Sequence, residues 1–156
     1  MRAALAVVLL LALASCGGDA ALSRGEWAAQ TNAICLDTLK KVEALGLPST
    51  SDEYLRVTPK ANELGRDAIE RLRDLKAPGS IKGDTEKMIK GYEDVVKLQE
   101  VVYQGMKAQS EGKESDRNYF RAGNQAIEVG RDTDKIAERL HVDQCARDPW
   151  QGPTHA

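Results

Sequence analysis

Apolar residues return every three or four positions through four successive stretches of this chain, and nowhere do they alternate as a half-buried strand requires. The first stretch opens at Ser23, with Glu26 three residues on as its capping-box partner. Trp27, Thr31, Ile34, Thr38 and Leu45 mark one stripe, with Cys35, Leu39 and Val42 beside it. Gly46 can close that helix in the left-handed region, Leu47 is expected to fold back on Val42, and Pro48 prevents continuation. In the second stretch Tyr54, Ala61, Ala68 and Leu75 recur at intervals of seven, with Val57, Leu64 and Leu72 between them. Pro59 interrupts it after one turn and predicts a kink, or a restart capped by Thr58. The third helix is expected from about Ser80 to Lys107, with an apolar face running from Ile81 through Met88, Tyr92, Val95 and Val102 to Met106. The fourth begins near Ser115, with Tyr119, Ala126, Thr133 and Leu140 in one column and Ala122, Val129 and Ile136 in the other, close to a heptad seam.

Four helices joined by short turns imply an all-α fold, an antiparallel up-down-up-down four-helix bundle. Its interior should hold Trp27, Ile34, Leu64, Leu72, Val95, Val102, Val129, Ile136 and Leu140.

The N-terminus carries an address. Met1-Arg2 supplies one cation, and Ala3 to Ala14 contains only Ala, Val and Leu, too short to span a membrane and suited to a signal h-region. Leu13-Ala14-Ser15-Cys16 resembles a bacterial lipobox: a branched apolar residue, two small residues, then the cysteine that takes diacylglycerol. The expected organisation is a signal peptide over 1–15, a tether over 16–22 starting at lipidated Cys16, a bundle over 23–145 and a tail over 146–156. Such a protein is anchored in the cell membrane and faces outward from the cytoplasm. The tether is short, so the domain should sit close to the bilayer.

Charge narrows the partners. The chain has a formal net charge of −2, and removing Arg2 leaves 21 cationic against 24 anionic side chains, or −3. A mildly acidic domain gives no electrostatic reason to expect nucleic acid. No basic run in the sequence adds a second, electrostatic membrane anchor. Trp27, Trp150, four Tyr and Phe120 are too few aromatics for a base-stacking platform.

With Cys16 lipidated, Cys35 and Cys145 remain as a pair in an oxidising compartment, where a disulfide is the expected state. Two free buried thiols are the alternative. A metal pair fits less well, because companion ligands are missing nearby. A bridge would enclose a 110-residue loop. Closing a loop of that order removes about 4.7 kcal/mol of denatured-state entropy, less any strain.

Catalytic material is sparse. His155 lies in the tail and His141 ends the fourth helix, where exposed carbonyls favour a cation. Glu138-Arg139-Leu140-His141 matches the Glu-x-x-His of carboxylate-bridged di-iron bundles, but no second copy accompanies it. Glu63, Asp67, Glu70, Asp74, Asp132 and Asp134 alternate with Arg66, Arg71, Arg73, Arg131 and Lys135, as on a solvated face. No phosphate-cradling glycine motif occurs. The expectation is therefore no enzyme, no cofactor and no metal.

Five glycines fall inside predicted helices: Gly65, Gly91, Gly105, Gly123 and Gly130. Each costs about 1 kcal/mol against alanine, so each needs a reason. Close helix approach is one. An apolar groove lined by Met106, Gly123, Val129 and Gly130 is the other, and it would suit a small apolar ligand. The two functional expectations are thus a binding or scaffolding module for an unidentified partner, or a carrier or sensor holding such a ligand in the bundle.

Over nearly all of its mature length the chain resembles the small actinobacterial lipoproteins of unknown function. The residues that carry the likeness are the lipobox, then Trp27, Asn32, Ala33, Ile34 and Cys35, then Leu72, Leu75, Ala77 and Pro78, and finally Cys145. The resemblance implies a membrane address, the disulfide and a helical bundle. It brings no activity and no catalytic residues.

Overall fold

The computed structural model describes residues 22–114 and 118–147. Four helices appear in chain order: α1 (Arg24–Glu43), α2 (Ser51–Asp74), α3 (Lys82–Ser110) and α4 (Asn118–Arg139). No strand occurs among the described residues. Consecutive helices pack side by side as a bundle. The signal stretch, Cys16 and all but the first two residues of the 146–156 tail lie outside the described residues.

The helix ends follow from local chemistry. At α1 the Ser23 side chain accepts from the Glu26 N–H at 3.3 Å, and the Glu26 carboxylate accepts from the Ser23 N–H at 3.0 Å. That closes the capping box and satisfies two orphan donors. Thr50 caps α2 by accepting from the Glu53 N–H at 3.2 Å, while Glu53 reaches back to the Ser49 N–H at 2.7 Å. Gly46 does take a positive φ, +82°, after α1, and Leu47 beyond it is 58% exposed. At α3 and α4 the C-termini share one hydrogen-bond pattern. Gly112 and His141 both have positive φ. Lys113 N–H donates to Ala108 at 2.9 Å and Gly112 N–H to Gln109 at 3.1 Å. Val142 N–H donates to Ala137 and His141 N–H to Glu138, each at 3.0 Å. These are Schellman motifs, one with the usual glycine and one with a histidine.

Pro59 does not break α2, which runs uninterrupted from Ser51 to Asp74. The proline sits on an exposed position, so the Leu55 carbonyl it deprives of a donor is on the watered side. Val57, Thr58 and Asn62 around it are buried and hold the helix on course.

The core gathers toward one end of the bundle. Trp27, Ile81, Met88, Ala137, Leu140, Val142 and Cys145 form one cluster, and Ile34, Ala68, Ile69, Leu72 and Ile89 form another. Of the expected interior, Trp27, Ile34, Leu72 and Leu140 are buried, whereas Leu64, Val95, Val102, Val129 and Ile136 are half-buried. One cause is visible in the packing. No Cα of α1 comes within 8 Å of one in α3 or α4. Beyond Ile89 the described structure buries no α3 side chain fully.

Candidate functional site

What joins α1 to the second helix pair is the segment after α4. The Asn32 amide donates to the His141 carbonyl at 3.3 Å and accepts from the Gln144 N–H at 3.0 Å. One turn on, Cys35 is bridged to Cys145, with Cα atoms 5.0 Å apart. The Tyr92 hydroxyl of α3 donates to the Cys145 carbonyl at 3.0 Å. At the segment's start, the Arg24 guanidinium donates to the Arg139 carbonyl at 3.5 Å. Val142 is wholly buried in the cluster that holds Trp27. Trp27, Asn32 and Cys35 thus share a job: they are the α1 half of a strap, and residues 140–145 are the other half.

The Tyr92 phenol is pushed up from its ordinary value, chiefly by burial and secondly by the charge of Asp134. It therefore remains a neutral donor. Among the described residues, three buried polar side-chain atoms have no hydrogen-bond partner: Trp27 Nε1, Thr31 Oγ1 and Asn62 Oδ1. Two of them flank the strap on α1.

The helical glycines divide into two kinds. A methyl group at Gly91 would lie 2.0 Å from Thr133 Oγ1, and one at Gly105 would lie 2.5 Å from the Cβ and Cγ of Tyr119. There α3 and α4 touch backbone to side chain. A methyl at Gly65 would be 3.1 Å from Val96. At Gly123 and Gly130 it would meet only Val102 at 3.7 Å and Val95 at 3.9 Å, ordinary contact distances. Gly123 and Gly130 thus face α3 together. Met106 and Val129 are half-buried, and the α4 residues Phe120 and Ile127 are 64% and 55% exposed.

The charged side chains mostly pair. Asp37 takes Lys41 and Arg71 at 2.9 and 2.8 Å, and its carboxyl is held below the usual range by Lys41 first and Arg71 second. Asp132 is lowered by Lys135, and Arg73 pairs with Glu93. Among the described residues no group of three His, Cys, Asp or Glu is placed to hold a metal ion. His141 is exposed and serves as a helix cap through its backbone. His155 lies outside the described residues.

Open grooves mark the surface. One of about 440 Å³ lies at the α2–α3 corner, between the end of α2 and the start of α3. Another, of about 360 Å³, lies between α3 and the start of α4 beside Gly105 and Tyr119. Compared with known protein families, curated proteins and solved structures, the chain shows no significant match.

Sequence reasoning singled out the two cysteines from their parity. It missed the anchoring by Asn32 and Tyr92, because hydrogen bonds to a backbone leave no periodic trace. It also missed His141 as a left-handed cap, where the usual glycine signal is absent.

Proposed function

We propose that the chain is a lipid-anchored protein on the outer face of the cell membrane that acts as a non-enzymatic binding or scaffolding module. The observation that supports it most is cysteine parity. Cys35 and Cys145 are joined, and the third cysteine of the sequence, Cys16, stands at the end of Leu13-Ala14-Ser15-Cys16. A stable disulfide suits an oxidising compartment. No described helix is long and apolar enough to cross a membrane, so residence there would depend on the lipid. The test is Cys16→Ala expressed in the native host. The variant should leave the membrane fraction or stay unprocessed, and an unchanged mass and fractionation would defeat the lipoprotein reading.

The non-enzymatic part is tested by screening ester, phosphate, peptide and glycoside substrates. Turnover that disappears on mutating one carboxylate would overturn it. A second reading, a carrier of a small apolar ligand, draws on α3. Val95, Val102 and Met106 stay half-buried there, and Val95 and Val102 face Gly130 and Gly123. Native mass spectrometry of protein purified from its host distinguishes the readings: a bound small molecule favours the carrier, a bound protein the scaffold.

A further inference from the structure

We propose that the groove between α3 and the start of α4 docks a basic amphipathic helix of a partner protein. The inference rests on the reading of the chain as a binding module, and it names the surface and the partner's chemistry. The groove, of about 360 Å³, is walled by Val101 and Gly105 of α3 and by Tyr119 of α4. Its apolar surface continues past the edge. The Phe120 ring lies against that of Tyr119, with centroids 4.1 Å apart, and Phe120 stands exposed. Ile127 follows seven residues later on the same face of α4, also exposed, and Val101 itself is 48% exposed. Of the four large apolar side chains that stand exposed among the described residues, these are three, and only Leu47 lies elsewhere. Single exposed apolar side chains are ordinary, but a cluster continuous with a groove marks an interaction surface. Two residues seven apart on a helix define a strip about 10 Å long, which a second helix laid alongside matches with apolar anchors on successive turns.

Charge selects the partner. Two carboxylates, Glu100 and Glu114, line the groove, and no Lys or Arg does. Elsewhere Asp37, Glu93, Asp94 and Asp132 are each paired with a Lys or Arg. Glu100 instead accepts from two neutral amides, Asn62 at 3.2 Å and Gln104 at 2.8 Å. Neither it nor Glu114 pairs with a described Lys or Arg. A cation brought by a partner therefore meets a carboxylate without displacing one already there, and such complementarity fixes register and speeds association. The same charge disfavours other occupants. A two-fold contact between copies sets one patch against itself, so that carboxylate would face carboxylate. An anionic bilayer would repel the rim as well.

The test uses the whole mature chain carrying Cys16→Ser, isotope-labelled for NMR. It is titrated with a synthetic amphipathic helix of about five turns built from Leu and Lys. Two controls accompany it: the same helix with Glu for Lys, and a shuffled Leu–Lys sequence with no apolar face. Affinity is read by fluorescence anisotropy and position by amide shifts. The Leu–Lys helix is expected to bind with shifts centred on Val101, Gly105, Phe120 and Ile127, and both controls to bind about fivefold more weakly or less. Glu114→Gln should weaken binding about threefold and Phe120→Ser about tenfold. Glu43→Gln and Leu47→Ser, at the α1–α2 turn, should not. Glu114 is exposed and unpaired among the described residues, so Glu114→Gln removes charge and leaves the fold alone. Circular dichroism checks every variant. No binding, equal binding of the Leu–Glu helix, shifts centred elsewhere, or equal losses from the α1–α2 variants would each overturn the proposal. So would a dimer in sedimentation that Phe120→Ser dissolves, which gives this face to a second copy. The binding-module reading is judged separately, by native mass spectrometry of protein from its host. A protein partner held equally by Glu114→Gln and Phe120→Ser would sink this inference alone, whereas a bound small molecule with no protein would sink that reading.

Discussion

His141 holds a backbone conformation that costs an L-residue with a side chain about 1 kcal/mol or more. Its φ of +61° is needed so that Val142 N–H can reach the Ala137 carbonyl and turn the chain back onto α1. Histidine tolerates this region better than most residues, but glycine tolerates it freely. His141→Gly should therefore stabilise the fold by up to about 1 kcal/mol, and His141→Val should destabilise it. Urea unfolding checks both signs. The glycines of the α3–α4 contact give a sharper contrast. At Gly91 an added methyl collides with Thr133, whereas at Gly130 it meets Val95 at 3.9 Å. Gly91→Ala should cost about 1–3 kcal/mol, and Gly130→Ala should gain up to about 1 kcal/mol from helix propensity. Melting temperatures moving in the same direction would refute this account of the contact. The sequence marked all of these glycines as unusual. It could not tell tight from open ones, because that depends on which residue of the neighbouring helix stands opposite.

At the scale of elements, α1 is the exposed partner. It packs on α2 but reaches α3 and α4 chiefly through side chains and the 140–145 strap. Asn32→Ala removes both of its bonds to the strap and leaves the Gln144 N–H and His141 carbonyl without it. A loss of about 1–3 kcal/mol is expected, measured by chemical denaturation. Tyr92 adds a pH dependence. Its phenol is raised in the folded state, so the native protein holds that proton more tightly than the unfolded chain. Its contribution is complete below the ordinary value of 10.0 and is lost as the pH rises above it. Tyr92→Phe should flatten the alkaline decline in stability, apart from a constant loss of the bond to Cys145. An alkaline limb unchanged in Tyr92→Phe would assign it to other groups.

Across the whole molecule, fold class was legible because periodicity is a local property: each amphipathic stretch became a helix, with ends near its caps. What periodicity cannot convey is how evenly the helices surround one another. Val102 and Val129 satisfy their stripes yet remain half-buried, because α1 stands off from α3 and α4. The groove between α3 and α4 escaped for a similar reason. Val101, Glu114 and Tyr119 lie apart along the chain and line one groove only once α4 folds back on α3.

The bridge between Cys35 and Cys145 spans this incomplete closure, joining the middle of α1 to the strap across a sequence separation of 110 residues. Replacing both cysteines with serine should cost about 2–5 kcal/mol. That is a large part of the roughly 5–15 kcal/mol by which domains are usually stable. If the bridge acts only on the unfolded chain, native-state hydrogen exchange should rise uniformly for the amides that open by global unfolding. If it also holds the strap in place, amides of residues 140–145 and of α1 around Trp27 and Asn32 should speed up more than those of the α3–α4 contact at Gly91 and Thr133. The strap's few hydrogen bonds and its position outside any helix favour the second pattern, and uniform acceleration would reject it.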